Sequence, residues 1–233
     1  MVRAILVTGA NQGLGMHTVH QLAATPGVLV FMGSRKITAA EEAAEKFAAD
    51  VHSSSTVVLV QLDITDEASI KAAHASVAQV LKQKEISGLD VLVNNAASAL
   101  GSFEEVFKTI VFGTVAVTDA FRPLLSNGAV ILNISSGLGS MGLYAHPGIP
   151  ILPAYASSKA ALNMLTVLWA KQEEEKQSGI RVLSICPGSN ATQMNNYSAG
   201  GSPAEGCKII VKAALETEGR TGVFIHKDGD YPW

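Results

Sequence analysis

Thr8-Gly9-Ala10-Asn11-Gln12-Gly13-Leu14-Gly15 stands between a short apolar run, residues 4–8, and a stretch of helical period, residues 14–24. A glycine-rich turn from strand to helix leaves backbone N–H groups and the positive end of the helix dipole open to an anion, and side chains at the glycine positions would block that approach. The turn therefore reads as a cradle for a pyrophosphate, formed by Gly9, Gly13 and Gly15 with Asn11, Gln12 and Leu14 between them. Its spacing is Gly-x-x-x-Gly-x-Gly, not the Gly-x-Gly-x-x-Gly of the widely described dinucleotide fingerprint. A plain tight turn between strand and helix is the alternative reading.

The same alternation continues along the chain. Strand-like apolar runs recur at residues 28–32, 57–62, 91–94, 129–134, 182–186 and 223–225, separated by helical stretches at 39–50, 67–83, 103–125, 156–176 and 203–215. Repeated βα units of this kind, joined by right-handed crossovers, predict an α/β fold. The expected form is a doubly wound, seven-stranded parallel sheet with helices on both faces, a Rossmann-type single domain over residues 1–233. Ligands are then expected at the carboxyl ends of the strands. Two connections, 137–153 and 188–202, are long for this layout and are expected to be substrate-site loops.

Composition narrows the function classes. Of 233 residues, 48% are hydrophobic and 16% charged, enough apolar surface to cover both faces of a buried sheet. A formal charge of −3 gives no electrostatic reason to expect nucleic acid or an anionic membrane as a partner. The strand-like start leaves no room for a charged leader before the fold, and no apolar run reaches the roughly 18 to 20 residues that span a bilayer. A soluble, cytoplasmic protein is the expectation. Cys186 and Cys207 read as buried thiols, with no disulfide framework and no metal site implied.

At the end of the second strand the chain reads Phe31-Met32-Gly33-Ser34-Arg35-Lys36, where an NAD enzyme usually places an acid on the ribose hydroxyls. Arg35 instead offers a planar fork of donors suited to a 2′-phosphate, with Ser34 leaving space and a hydroxyl beside it, so NADP(H) is favoured over NAD. Asp63, followed by Ile64, is placed either to accept from an adenine amino group or to cap the next turn. Asn94-Asn95-Ala96 either presents amides to a ribose or forms a turn.

Tyr155 and Lys159 are four apart where helical sequence begins, which puts phenol and ammonium on one helical face. A phenol of pKa near 10 is a poor acid or base at neutral pH, and an adjacent cation favours its phenolate. Ser136, at the end of the fifth strand, can supply a hydroxyl to a substrate carbonyl, and Ser135 is its possible substitute.

The glycine turn, Asn94-Asn95-Ala96, Asn133-Ile134-Ser135-Ser136, Tyr155-x-x-x-Lys159 and Cys186-Pro187-Gly188 through Thr192, in that order, resemble the classical short-chain dehydrogenase/reductase family, in its carbonyl-reductase-like form. The resemblance covers essentially the whole chain. It implies that Gly9, Gly13, Leu14 and Gly15 hold the pyrophosphate, that Arg35 marks NADP preference, and that Asp63 and Ile64 meet adenine. It implies a ribose contact at Asn95, beside Ala96. Ser136 would orient the carbonyl, Tyr155 donate the proton, and Lys159 hold the nicotinamide ribose and lower the tyrosine pKa. Asn190 and Thr192, after Pro187 and Gly188, would flank the carboxamide.

Three departures stand out. Ala97 replaces the family's usual glycine after Asn-Asn-Ala. Ile110, three residues before Gly113, stands where the family commonly has an asparagine that holds a relay water behind the lysine; isoleucine has no polar group for that. The span from Ser136 to Tyr155 is longer than usual, which implies a longer lip over the substrate site.

The expected activity is NADPH-dependent reduction of a fairly hydrophobic ketone or aldehyde to an alcohol. Met141, Leu143, Tyr144, Ile149, Ile151 and Leu152, joined by Met194 and Tyr197, offer an apolar wall. Ile110 keeps open an NADP-binding protein with weak or no redox turnover, or non-redox chemistry on the same scaffold. The family resemblance implies a homodimer or homotetramer built through helices 103–125 and 156–176, with Trp233 free to pack on a neighbouring subunit.

Overall fold

The computed structural model describes residues 2–198 and 200–233. Ala199, inside the second long loop, lies outside them, as does Met1.

The chain runs β1 (Arg3–Val7), α1 (Gly13–Ala23), β2 (Val28–Ser34), α2 (Ile37–Glu45), β3 (Thr56–Gln61), α3 (Glu67–Gln83) and β4 (Leu89–Asn94). It continues through α4 (Phe103–Phe107), a π-helical turn (Lys108–Gly113), α5 (Thr114–Phe121), β5 (Leu125–Ile134), α6 (Pro153–Glu175) and β6 (Arg181–Cys186). Last come α7 (Pro203–Gly206), α8 (Lys208–Leu215), β7 (Val223–His226) and β8 (Gly229–Asp230). The sheet order is β3-β2-β1-β4-β5-β6-β7-β8.

Seven strands are parallel, as expected. The eighth, β8, pairs antiparallel with β7 through His226 and Gly229 and forms the returning arm of a hairpin, a strand beyond the seven expected. Because the chain winds outward from β1 to β3 and then returns to place β4 on the other side of β1, the order reverses between β1 and β4. That crevice is where a doubly wound sheet binds ligands.

The period-2 alternation of β1 shows why both faces are covered. Ile5 and Val7 pack with Val19, Leu22 and Ile210 on the face of α1 and α8. Ala4 and Leu6 pack with Val77, Leu81, Val117 and Phe121 on the face of α3 and α5. Asn94 and Asn133, both buried, interrupt this apolar interior but are paired: Asn94 Nδ2 donates to Thr118 Oγ1 and Asn133 Oδ1, and Asn133 Nδ2 donates to Thr166 Oγ1. The amide chain ties β4 and β5 to α5 and α6, directly beneath the strand ends that carry the site.

The helix expected over 103–125 is instead four pieces, α4, the π turn, α5 and a 3-10 turn at Arg122–Leu124. Leu125 already pairs with Leu89 as the first residue of β5. The π turn covers the position of Ile110, which is fully buried.

Candidate active site

The glycine turn closes on the crevice between β1 and β4. Gly9 (φ +61°) and Gly13 (φ +53°) are left-handed, a conformation that glycine adopts without strain. A side chain at Gly9 would lie 2.8 Å from the Ala96 Cα, and one at Gly15 would lie 2.5 Å from both Asn95 Nδ2 and the Gly9 carbonyl. Thr8 sets this packing. Its Oγ1 accepts from the backbone N–H groups of Asn95 and Ala96, a role sequence reading missed although the threonine before the glycines marks the spot.

The Asn95 side chain is engaged within the fold: its Nδ2 donates to the carbonyls of Thr8 and Gly9, so this amide staples the glycine turn to the end of β4. Asp63 realises the turn-capping alternative: Oδ1 accepts from both the N–H and the hydroxyl of Thr65. Ile64 is buried, with its carbonyl against Gly113. Asn190 likewise folds back, its Nδ2 donating to the carbonyls of Pro187 and Gly188. The methyl of Thr192 lies against Gly13, which brings the 188–202 loop to the mouth of the glycine turn.

Both helix starts facing this crevice are open. Neither α1, which follows Gln12, nor α2, which follows Lys36, has a side-chain cap or an acidic residue in its first turn. Arg35, exposed beside the start of α2, makes no hydrogen bond or ion pair among the described residues. Ser34 is buried and its hydroxyl donates to the Lys36 carbonyl. Unsatisfied N–H groups, left-handed glycines and an uncommitted guanidinium are what a phosphorylated dinucleotide requires, so the residues present fit such a cofactor.

The reactive groups converge at the ends of β5 and β6 and the start of α6. Pro153 opens α6, where a missing N–H costs nothing, and Tyr155 and Lys159 follow on one face. The Ser136 hydroxyl, which accepts from the Leu138 N–H, stands close enough to the Tyr155 phenol to favour its charged form. Lys159 Nζ lies 5.6 Å from the Tyr155 ring centroid and donates to the Ile134 carbonyl at 2.6 Å. Ser135 cannot stand in for Ser136: its hydroxyl is buried and donates to Asn163 Oδ1 at 2.7 Å. Cys186 Sγ accepts from the Gly137 N–H, which ties β6 to the strip after β5.

Electrostatics here differ from the simple picture of a cation lowering a phenol's pKa. Burial pushes the Tyr155 phenol up to about 12, and the neighbouring Ser136 side chain opposes that rise. Burial also brings Lys159 down to about 7, and the nearby Cys186 offsets only part of that fall. Desolvation, not the attraction between the two side chains, dominates both groups.

Ile110 packs in an apolar cluster with Val106 and Leu162, against which Tyr155 also lies. The position is filled by hydrocarbon.

The long lip divides in two. Its near part is pinned: Ser140 Oγ donates to the Pro232 carbonyl, Gly142 N–H donates to the Trp233 carbonyl, and Leu143 packs on Gly137. Trp233 stacks on Phe224 of its own chain at 5.6 Å between centroids. Met141 stays exposed within the pinned part, the far part leaves Tyr144, Ile151 and Leu152 exposed, and Tyr197 is exposed on the second loop.

A family model described as short chain dehydrogenase matches residues 3–201. The chain is 35% identical over 231 residues to the short-chain dehydrogenase anuI of Penicillium roqueforti, covering 91% of this chain and 88% of that protein. It is 29% identical to carbonyl reductase [NADPH] 1 of Bos taurus, covering 98% and 97% of the two chains. Among solved structures, the NADPH-bound carbonyl reductase from chicken fatty liver superposes with a TM-score of 0.83 at 32% identity, covering 100% of this chain and 99% of that one.

Proposed function

The chain belongs to the short-chain dehydrogenase/reductase family and is an oxidoreductase that uses a nicotinamide cofactor, and from that premise we propose that it reduces a fairly hydrophobic ketone or aldehyde with NADPH. The observation that carries the reading is the convergence of Ser136, Tyr155 and Lys159 at the strand ends beside an open glycine turn. Gly9, Gly13, Leu14 and Gly15 would hold the pyrophosphate, with Asn11 and Gln12 in the same turn. Arg35 and the start of α2 would hold a 2′-phosphate, which favours NADP over NAD.

When bound, the reduced nicotinamide supplies the hydride. The chain's own residues place and protonate the carbonyl. Ser136 donates a hydrogen bond to the carbonyl oxygen, and charge developing there is stabilised by a donor already in position. Tyr155 keeps its proton throughout the neutral range because burial raises its pKa, and it donates that proton to the alkoxide oxygen. Lys159, held by the Ile134 carbonyl, is poised near neutrality and can return a proton toward Tyr155. The exposed apolar lip supports a hydrophobic substrate.

Steady NADPH oxidation with a panel of apolar ketones and aldehydes tests the reading; no oxidation above the background with any of them would overturn it. Ile110 favours a second reading, tight cofactor binding with little turnover, because the relay position holds only apolar groups. NADPH binding without hydride transfer would select it. Exposed Phe112, Met164 and Leu168, on the π turn and α6, support assembly as a homodimer or homotetramer, checked by light-scattering mass.

A further inference from the structure

Asn163 lies one helical turn beyond Lys159 and is buried. Its Oδ1 accepts from two hydroxyls at equal distance, Ser135 Oγ and Ser184 Oγ, both 2.7 Å away. Its Nδ2 donates to the Gly139 carbonyl at 3.1 Å. Three bonds fix the amide, and two of them grip the strip of residues 135–139.

That strip carries the chemistry. Ser136 sits inside it, and Ile134, whose carbonyl holds Lys159, immediately precedes it. Its far end is pressed on α6, since a side chain at Gly139 would lie 2.7 Å from the Lys159 carbonyl carbon. Near Lys159 the polar partners are therefore those on the β5 side, because the side of Ile110, Val106 and Leu162 is apolar.

We infer that Asn163 is a positioning residue for the reaction: through Ser135 and Gly139 it sets where Ser136 and the acceptor of Lys159 stand relative to Tyr155. The inference rests on the carbonyl-reduction reading above. In its absence the amide would be only a satisfied buried polar group, and its two serine bonds would then matter equally.

The two serines separate these cases. Ser135→Ala cuts the tie to the catalytic strip, whereas Ser184→Ala cuts a tie to β6 and leaves the strip held. Ser135→Ala and Asn163→Ala are expected to lower kcat between about ten- and a hundredfold, the effect of a misplaced but intact catalytic group, with KM for NADPH within about twofold. Ser184→Ala should keep kcat within about twofold of wild type, and Ser135→Thr, which restores a hydroxyl, should recover most of the loss.

The second readout needs no turnover. Titration of the Lys159 ammonium by NMR on lysine-labelled protein should move upward in Ser135→Ala and Asn163→Ala, as a loosened strip admits water, and stay put in Ser184→Ala. Equal effects of the two serine substitutions, in kcat and in the titration, would overturn the inference. If Asn163→Ala does not fold, the serine pair decides. Should the wild type reduce no carbonyl, the activity reading falls on its own, and the Lys159 titration alone then carries or sinks the role of Asn163.

Discussion

Replacing Lys159 by methionine should change how the stability of the cofactor-free protein depends on pH. Lys159 is 2% exposed, its ammonium donates to the Ile134 carbonyl, and burial lowers its pKa from 10.5 to about 7. The unfolded chain keeps this proton up to about pH 10.5, while the folded chain releases it near 7. Between those values the unfolded state binds more protons, so this group makes stability rise with pH; below 7 both states are protonated and the folded state bears the full cost of a buried charge. At ~1.4 kcal/mol per pH unit, and with release only half complete at pH 7, the gain from pH 7 to pH 9 is about 2 kcal/mol. Lys159→Met removes that gain and is indifferent to pH at this position. Urea unfolding of both proteins at pH 7 and pH 9 measures it. The variant's advantage over wild type should shrink by about 2 kcal/mol between the two. A difference that stays constant would show that Lys159 is not held in a desolvated site, and the reasoning would fail.

Arg35→Ala should raise KM for NADPH by about ten- to a hundredfold, the value of one to two charge-assisted hydrogen bonds, while KM for NADH changes little; equal changes for both cofactors would remove Arg35 from the phosphate site. Ile110→Asn places an amide among Val106, Leu162 and the Tyr155 ring, with no partner for it. It should cost about 1 to 3 kcal/mol in urea unfolding, and an unchanged midpoint would mean that the cluster readily admits water.

Much of this protein is legible in its sequence because local and global signals agree. The strands are short apolar runs bounded by glycine and polar residues, and the helix over Glu67–Gln83 coincides with its sequence expectation because Asp66 caps it and its apolar residues keep one face. Where tertiary contacts decide, the sequence misleads. A π turn needs one extra residue in a turn and carries no compositional mark, so the 103–125 stretch reads as one helix. Helix α2 ends at Glu45, short of the expected 50, and Phe47 just beyond it is buried and stacks on His20. The site shows the same division. Tyr155, Lys159 and Ser136 come together as expected, and Asp63 takes the turn-capping option that the sequence leaves open; that Asn95 spends its amide on the Thr8 and Gly9 carbonyls, and Asn190 on those of Pro187 and Gly188, only the folded backbone reveals. The Tyr155 pKa went the other way because a sequence shows a neighbouring cation and hides the burial. Asn163 had a signal, the i, i+4 spacing from Lys159, but its serine partners come from β5 and β6, far away in the chain.

In the proposed reaction Tyr155 protonates the carbonyl oxygen while Ser136 and Lys159 hold the geometry. Its most direct test is NADPH oxidation by Tyr155→Phe with a ketone that the wild type reduces, alongside NADPH binding measured by fluorescence. Phenylalanine keeps the ring against Ile110 and Leu162 and removes only the hydroxyl. Turnover should fall by at least about a hundredfold with NADPH affinity retained, as expected for loss of a general acid. Turnover within a few-fold of wild type would mean that Tyr155 is not the proton donor.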